Sequence, residues 1–176
     1  MILLMRELVI PDGECNDIDN TVFDLGAFRK LERLSVGSFS LGSILTVRIR
    51  NLKRWESIEF KEASFTRTNG ELHIENCVAL KTLRMLSGSF HFFSALSLTS
   101  LPSLETLEIG AGCFTEVEHF TLSSLSHLRS VFFGESSFIR KAGELRVENC
   151  QAMTELTVRG KAFRTSTSPD CPRCSV

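Results

Sequence analysis

The stretch LSLTSLPSLETLEIGAGCF, residues 96–114, carries the pattern that decides the fold. The apolar side chains of this pattern are Leu96, Leu98, Leu101, Leu104, Leu107, Ile109 and Phe114. The same spacing recurs through almost the whole chain of 176 residues, with a period of 24–26 residues. A fixed period of this length indicates a solenoid, in which each repeat buries its apolar side only by stacking on its neighbours.

Each repeat contains two short segments that alternate apolar and polar residues. The first segment is centred, in successive repeats, on Leu8, Leu34, Ile58, Leu83, Leu107, Val131 and Leu156. The second segment has apolar residues two positions apart, beginning at Phe23, Val47, Leu72, Leu96, Phe120 and Leu145. Alternation with a period of two is a strand signal. We therefore expect two strands in each turn of the solenoid and two parallel sheets along its length.

One position of the repeat is occupied almost entirely by phenylalanine. In chain order this column contains Cys15, Leu41, Phe65, Phe90, Phe114, Phe138 and Phe163. The chain has 14 Phe, one Trp and no Tyr, so ring volume is supplied mostly without a polar group. Such rings suit a dry interior, because a buried hydroxyl or indole N–H usually needs a hydrogen-bond partner. We expect the rings to form one continuous column in the core.

Small residues mark places where the chain has little room. The position before the phenylalanine column is occupied by Ser40, Ser64, Ser89, Cys113, Ser137 and Ala162. This pattern predicts a tight turn, in which Cys113 serves as a small side chain. Glycine follows the first strand at Gly37, Gly110 and Gly134, where we expect a bend or a positive φ.

The two connections within a repeat differ in how much their length varies. From the start of the second segment to the next strand centre there are always 11 residues, as from Leu96 to Leu107. The other connection varies from six residues, as from Phe90 to Leu96, to eight, as from Cys15 to Phe23. Insertions in repeat arrays collect in loops on one side. We therefore expect one rigid edge and, opposite it, an edge of variable loops.

The pattern begins abruptly and ends abruptly. Ile2 and Met5 already occupy apolar columns before Leu8, and the chain after Phe163 reads RTSTSPDCPRCSV. We expect a solenoid over residues 1–163 and a disordered tail over residues 164–176. Solenoids usually close their ends with polar-faced caps. The uncapped ends suggest either a fragment of a longer array or ends that pair with further repeats or another chain, and our hypothesis is the fragment.

Composition argues against several functions. The net charge of −1 provides no broad basic field for nucleic acid. No apolar run approaches the ~18 residues of a membrane-spanning helix, so no membrane insertion is expected. Six scattered Cys make a reduced, cytoplasmic location the default, and a cell-surface location is the alternative if the chain is a fragment.

The strand signature L-x-x-L-x-(I/V) resembles that of leucine-rich repeats, as in LERLSV (31–36), LETLEI (104–109) and MTELTV (153–158). IGAGCF (109–114) and FGESSF (133–138) are similar to the BspA-like subclass. ENCVALKTL (75–83) and ENCQAMTEL (148–156) resemble the Cys-containing subclass. The expected fold is a leucine-rich-repeat solenoid, a β-rich right-handed coil of about six to seven repeats. The resemblance implies a protein-binding scaffold without catalytic residues, and BspA-like members are often surface proteins.

No motif for catalysis or for a cofactor stands out. The sequence contains no nucleophile elbow, phosphate-binding glycine loop or paired-carboxylate motif, so we expect no enzyme and no cofactor. The CPRC at Cys171 to Cys174 has metal-like spacing but no second pair, which favours a disordered tail over a metal site. Cys77 and Cys150 replace the Leu of sister repeats, and we interpret them as packing residues.

Binding residues are expected on the outward positions of the strands, which are free of the demands of the core. These positions are chemically mixed, which suits a specific protein partner with aromatic and Arg anchors. The candidates are Phe132, Arg84, Glu108, Glu59, Arg48 and His73. The alternative is a structural or adhesive segment of a larger cell-surface protein.

Overall fold

The computed structural model describes residues 5–138 and 144–160. Within these ranges the chain forms thirteen short strands and no helix. In chain order the strands are β1 (Glu7–Ile10), β2 (Val22–Asp24), β3 (Arg33–Val36), β4 (Thr46–Arg50), β5 (Ser57–Phe60), β6 (Gly70–Glu75), β7 (Thr82–Met85), β8 (Phe93–Thr99), β9 (Thr106–Ile109), β10 (His119–Ser123), β11 (Ser130–Phe133), β12 (Glu144–Glu148) and β13 (Glu155–Val158). No helix in the described part of the chain could span a bilayer.

The strands alternate between two parallel sheets. The odd-numbered strands form a seven-stranded sheet in the order β1-β3-β5-β7-β9-β11-β13, and the even-numbered strands form a six-stranded sheet. Leu83 pairs with Leu107, which pairs with Val131, so each predicted strand centre lies beside the next. Every strand predicted from the alternating pattern is present. The prediction of a solenoid with two parallel sheets is confirmed, and it has about six turns.

The core lies between the two sheets and contains the phenylalanine column. The rings of Phe65 and Phe90 are stacked with centroids 4.7 Å apart, and those of Phe90 and Phe114 with centroids 5.5 Å apart. Phe114 and Phe138 continue the column at 5.8 Å. The predicted column is therefore confirmed from Phe65 to Phe138. Phe163 lies outside the described residues.

The sharp turn at the phenylalanine column uses the left-handed backbone conformation. Phe65, Phe90, Phe114 and Phe138 have φ of 55°, 53°, 51° and 55°. A bulky residue is uncommon in this region, and the strain costs on the order of 1–3 kcal/mol for each residue. Burying a large aromatic ring in a packed core contributes a similar or larger amount, which offsets the strain.

The glycines that follow the first strand do not have positive φ, so that part of the prediction is wrong. Gly37, Gly110 and Gly134 instead lie against the backbone of the preceding coil. An added Cβ would lie 2.5 Å from the Asp12 nitrogen at Gly37, and 2.4 Å from the Ala111 nitrogen at Gly134. Glycine is therefore used here for close approach between coils, and positive φ occurs mainly at other positions.

The small residues before the phenylalanine column are all inaccessible to solvent in the described repeats. Their polar atoms satisfy backbone carbonyls beside the turn: the Ser40 Oγ donates to the Pro11 carbonyl at 2.7 Å, and the Ser137 Oγ to the Gly110 carbonyl at 2.8 Å. The Cys113 Sγ donates to the Leu86 carbonyl at 3.3 Å. The tight turn is confirmed, and Cys113 takes the place of a serine in it.

Candidate functional site

On the outer face of the seven-stranded sheet, the third residue of each strand projects toward solvent. Because the strands are parallel and in register, these side chains form a straight line across the sheet. This outer-face row consists of Val9, Ser35, Glu59, Arg84, Glu108, Phe132 and Thr157. Neighbouring strands lie about 4.8 Å apart, so adjacent side chains of the row are within reach of one another.

Arg84 lies between two carboxylates of the row. Its Nε donates to the Glu108 Oε2 at 2.8 Å, and its Nη1 lies 3.5 Å from the Glu59 Oε2. The hydrogen bond to Glu108, followed by the charge of that carboxylate, raises the pKa of Arg84 above its ordinary value. All three side chains remain partly exposed, so the pairing orients the charges more than it stabilises the fold.

Phe132 continues the row beside Glu108 and is half-buried. The guanidinium carbon of Arg159 lies 5.5 Å from the centroid of the Phe132 ring, within the range of a cation–π contact. The sequence prediction did not include Arg159. Its signal is its place in the repeat, because it follows β13 where Gly110 and Gly134 follow their strands.

Arg48 and His73 lie on the six-stranded sheet, where they are register partners on β4 and β6. The Nε2 of His73 lies 3.2 Å from the Glu71 Oε2. The hydrophobic core separates this sheet from the outer-face row. The six predicted residues therefore divide into a group of four on one sheet and a pair on the other, and no single flat surface contains them all.

Among the described residues, two open clefts lie along the rigid edge, where the second strand of a coil leads to the first strand of the next. One cleft has a volume of about 460 Å³ and is lined by Gly26, Arg29, Asn51, Lys53 and Arg54. The other has a volume of about 830 Å³ and shares Lys53 and Arg54 with it. The second cleft also contacts Arg33, Ser57 and Thr82, which begin strands of the seven-stranded sheet.

The buried thiols are poorly suited to nucleophilic chemistry. Burial raises the pKa of Cys77 to about 11 and that of Cys113 to about 11, so both are protonated near neutral pH. Cys150 is half-buried and its Sγ donates to the Glu148 carbonyl at 3.4 Å. Among the described residues, no three His, Cys, Asp or Glu side chains are grouped to hold a metal ion. Cys171 and Cys174 lie outside the described residues.

These features define the class of the protein as a parallel β-solenoid of about six turns with an ordered, chemically mixed outer face. No protein-family model matches the chain, and no curated protein or solved structure is detectably similar to it.

Proposed function

We propose that this chain is a non-catalytic, protein-binding scaffold of leucine-rich-repeat type, which contacts its partner through the outer-face row. The observation that carries the proposal is the group formed by Arg84, Glu108 and Phe132 on adjacent strands together with Arg159, which directly follows β13. It combines a guanidinium held by two carboxylates with an aromatic ring beneath a second guanidinium.

This group has the composition that dominates binding energy at protein interfaces. Aromatic and Arg side chains are enriched among the residues whose truncation weakens binding most. The strands beneath them are held by parallel pairing on both sides, so the side chains are presented by a rigid surface. A rigid surface loses little conformational entropy on association, which favours affinity.

The leucine-rich-repeat assignment is supported by the orientation of its signature residues. Leu104, Leu107 and Ile109 of the segment LETLEI are all inaccessible to solvent, whereas Glu108 between them lies on the outer face. Apolar signature positions thus pack the core while the intervening position is free for recognition. In the proposal, that intervening position is the one that varies to fit a partner.

The proposal is tested by recovering a partner and measuring its affinity for variants. Phe132→Ala and Arg84→Ala should each raise the dissociation constant about 10-fold or more, which is the effect of removing an interface anchor. Thr121→Ala, on the outer face of the six-stranded sheet, is the matched control and should leave affinity within twofold. Unchanged affinity for both row variants, with circular dichroism showing intact strands, would assign binding to another surface.

A second candidate function is a structural or adhesive segment of a larger cell-surface protein, and exposed apolar side chains on β13 favour it. Leu156 and Val158 are register partners of the buried Val131 and Phe133, yet they are 40% and 39% exposed. A further coil stacked on β13 would bury these side chains. Concentration-dependent association that Leu156→Lys and Val158→Lys abolish would support this candidate, whereas a monomer at all concentrations in sedimentation velocity would count against it.

A further inference from the structure

The rigid edge of the second to fourth coils carries a concentration of positive charge. We define the cationic edge as Arg29, Lys30, Arg33, Lys53, Arg54 and Lys81. Arg29 and Lys53 are 24 residues apart, as are Leu34 and Ile58, which are register partners. Arg29 therefore occupies the same place in its coil as Lys53 in the next, and Lys30 the same place as Arg54. The coils are stacked about 4.8 Å apart, so like charges lie close together.

Few carboxylates balance this charge. Glu32 lies 3.9 Å from the Arg54 Nη1 and 3.4 Å from the Arg6 Nη1, and Glu56 lies 3.7 Å from the Lys81 Nζ. Among the described residues, Arg29, Lys30 and Lys53 form no ion pair. Six cations against two carboxylates make the edge +4, and because the whole chain is −1 the remainder is −5.

Both clefts of the rigid edge open among these cations. The smaller cleft is lined by Arg29, Lys53 and Arg54 with Asn51 and Gly26, and contains no carboxylate in its lining. Unpaired like charges on adjacent coils repel one another and destabilise the fold. An anionic ligand seated in the cleft removes that repulsion while it gains charge-assisted hydrogen bonds from the two Arg forks.

We infer that the cationic edge binds an acidic peptide segment of a protein partner. Glu32 and Glu56 line the larger cleft, and their carboxylates repel a dense phosphate backbone. The edge spans three coils, about 10 Å, which is short for the 6–10 phosphate contacts typical of a nucleic-acid site. A peptide supplies carboxylates for the Arg and Lys side chains and also N–H and hydroxyl donors for the two Glu.

The position of the larger cleft connects this inference to the proposed function, on which it rests. Arg33, Ser57 and Thr82 line the cleft, and two residues further along the same strands are Ser35, Glu59 and Arg84 of the outer-face row. Two strand residues span about 7 Å. A partner that covers the row therefore reaches the cationic edge without a gap.

The inference is tested with a fluorescein-labelled ten-residue peptide of alternating Glu and Ser and the full chain at low ionic strength. Binding followed by fluorescence anisotropy should weaken as NaCl is raised, and Lys53→Glu should weaken it at least 10-fold. Arg67→Glu, which makes the same charge change on the opposite, variable edge, is the matched control and should change affinity less than threefold. Trp55, the only Trp, is fully buried next to Arg54, so its emission reports that each variant is folded.

Three results would overturn the inference: no peptide binding, equal loss for Lys53→Glu and Arg67→Glu, or binding of inorganic polyphosphate with no binding of the peptide. Phe132→Ala distinguishes the inference from the proposed function, because it should weaken binding of the recovered partner but not of the peptide. If the peptide does not bind while Phe132→Ala still weakens partner binding, the cationic edge is excluded as a peptide-binding site. The proposed binding role of the outer-face row is then retained. If the peptide binds while the row variants leave partner affinity unchanged, the proposed function fails alone.

Discussion

The rings of Phe65 and Phe90 lie nearly parallel, with centroids 4.7 Å apart and an interplanar angle of 6°. Both residues have left-handed backbone conformations and come from the same position of adjacent coils. The ring that fills the core and the turn that reverses the chain are thus supplied by one residue. Each coil must repeat that geometry for its ring to stack on the next, which explains why the aromatic column and the turn share a period.

Phe90→Ala should destabilise the protein strongly. Phe90 is fully buried and its ring contacts those of Phe65, Phe114, Phe60 and Phe93. Truncation leaves a cavity in the middle of the column, and we expect a loss of about 3–5 kcal/mol in the free energy of unfolding. Urea titration followed by the emission of Trp55 measures this loss. Phe39→Ala, which truncates a side chain that is 68% exposed, is the control and should lower the free energy of unfolding by less than about 1 kcal/mol.

Gly134→Ala should cost more stability than Gly13→Ala, although only Gly13 has a positive φ. A Cβ on Gly134 would lie 2.4 Å from the Ala111 nitrogen, so the coils must separate, whereas one on Gly13 meets no atom within 4 Å. Gly13→Ala then costs only backbone strain, about 1 kcal/mol. Thermal unfolding of the two variants compares them directly, and an equal or reversed order would contradict the close approach between coils.

Stability should fall as the pH rises from about 9 to about 11. Burial raises the pKa of Cys113 from its ordinary 9.0 to about 11, so between these values the folded state holds a proton that the unfolded state releases. The stability that the protonated thiol contributes is complete below its pKa in the unfolded state. It is lost as the pH rises through its pKa in the folded state. At most about 3 kcal/mol is at stake for Cys113, since each pKa unit corresponds to ~1.4 kcal/mol. Burial also raises the pKa of Cys77 to about 11, so that thiol adds to the same fall in stability.

Cys113→Ser tests this dependence, because serine already occupies the equivalent position at Ser89 and Ser137. Urea titrations at pH 8 and pH 10.5 should show a smaller loss of stability for the variant than for the natural chain. Cys15→Ser, at an exposed thiol, is the matched control and should leave the loss unchanged. An identical loss in all three proteins would show that the buried thiol does not govern the alkaline limit.

Removing the Arg84–Glu108 pair should change the fold little. The charged groups are partly exposed, and ion pairs of this kind contribute about 0.2–1 kcal/mol in double-mutant cycles. A cycle with Arg84→Gln and Glu108→Gln should give a coupling energy in this range that disappears in 1 M NaCl. A coupling well above 1 kcal/mol would indicate that the outer-face row is part of the stabilising framework rather than a surface free for binding.

Part of the candidate site could be predicted because the outer-face residues recur with the same period as the core residues beside them. The alternation of Leu83, Arg84 and Met85 places Arg84 outward, and the shared register then places it beside Glu59 and Glu108. Arg159 escaped prediction because it follows its strand at a place where sister repeats have glycine. The cationic edge was not predicted because it combines three stretches that are far apart in the chain, and acidic residues elsewhere bring the net charge of the whole chain to −1.

The sequence by itself determined the strands, their order in two parallel sheets and the stacking of the phenylalanine rings, because each follows from burying a pattern that repeats every 24–26 residues. Only the tertiary structure decided where the backbone adopts positive φ, why Gly134 must lack a side chain, and which charges meet across the coils. These depend on how closely two coils approach and on the direction of each side chain. The period of a sequence specifies neither the distance between coils nor the direction of a side chain.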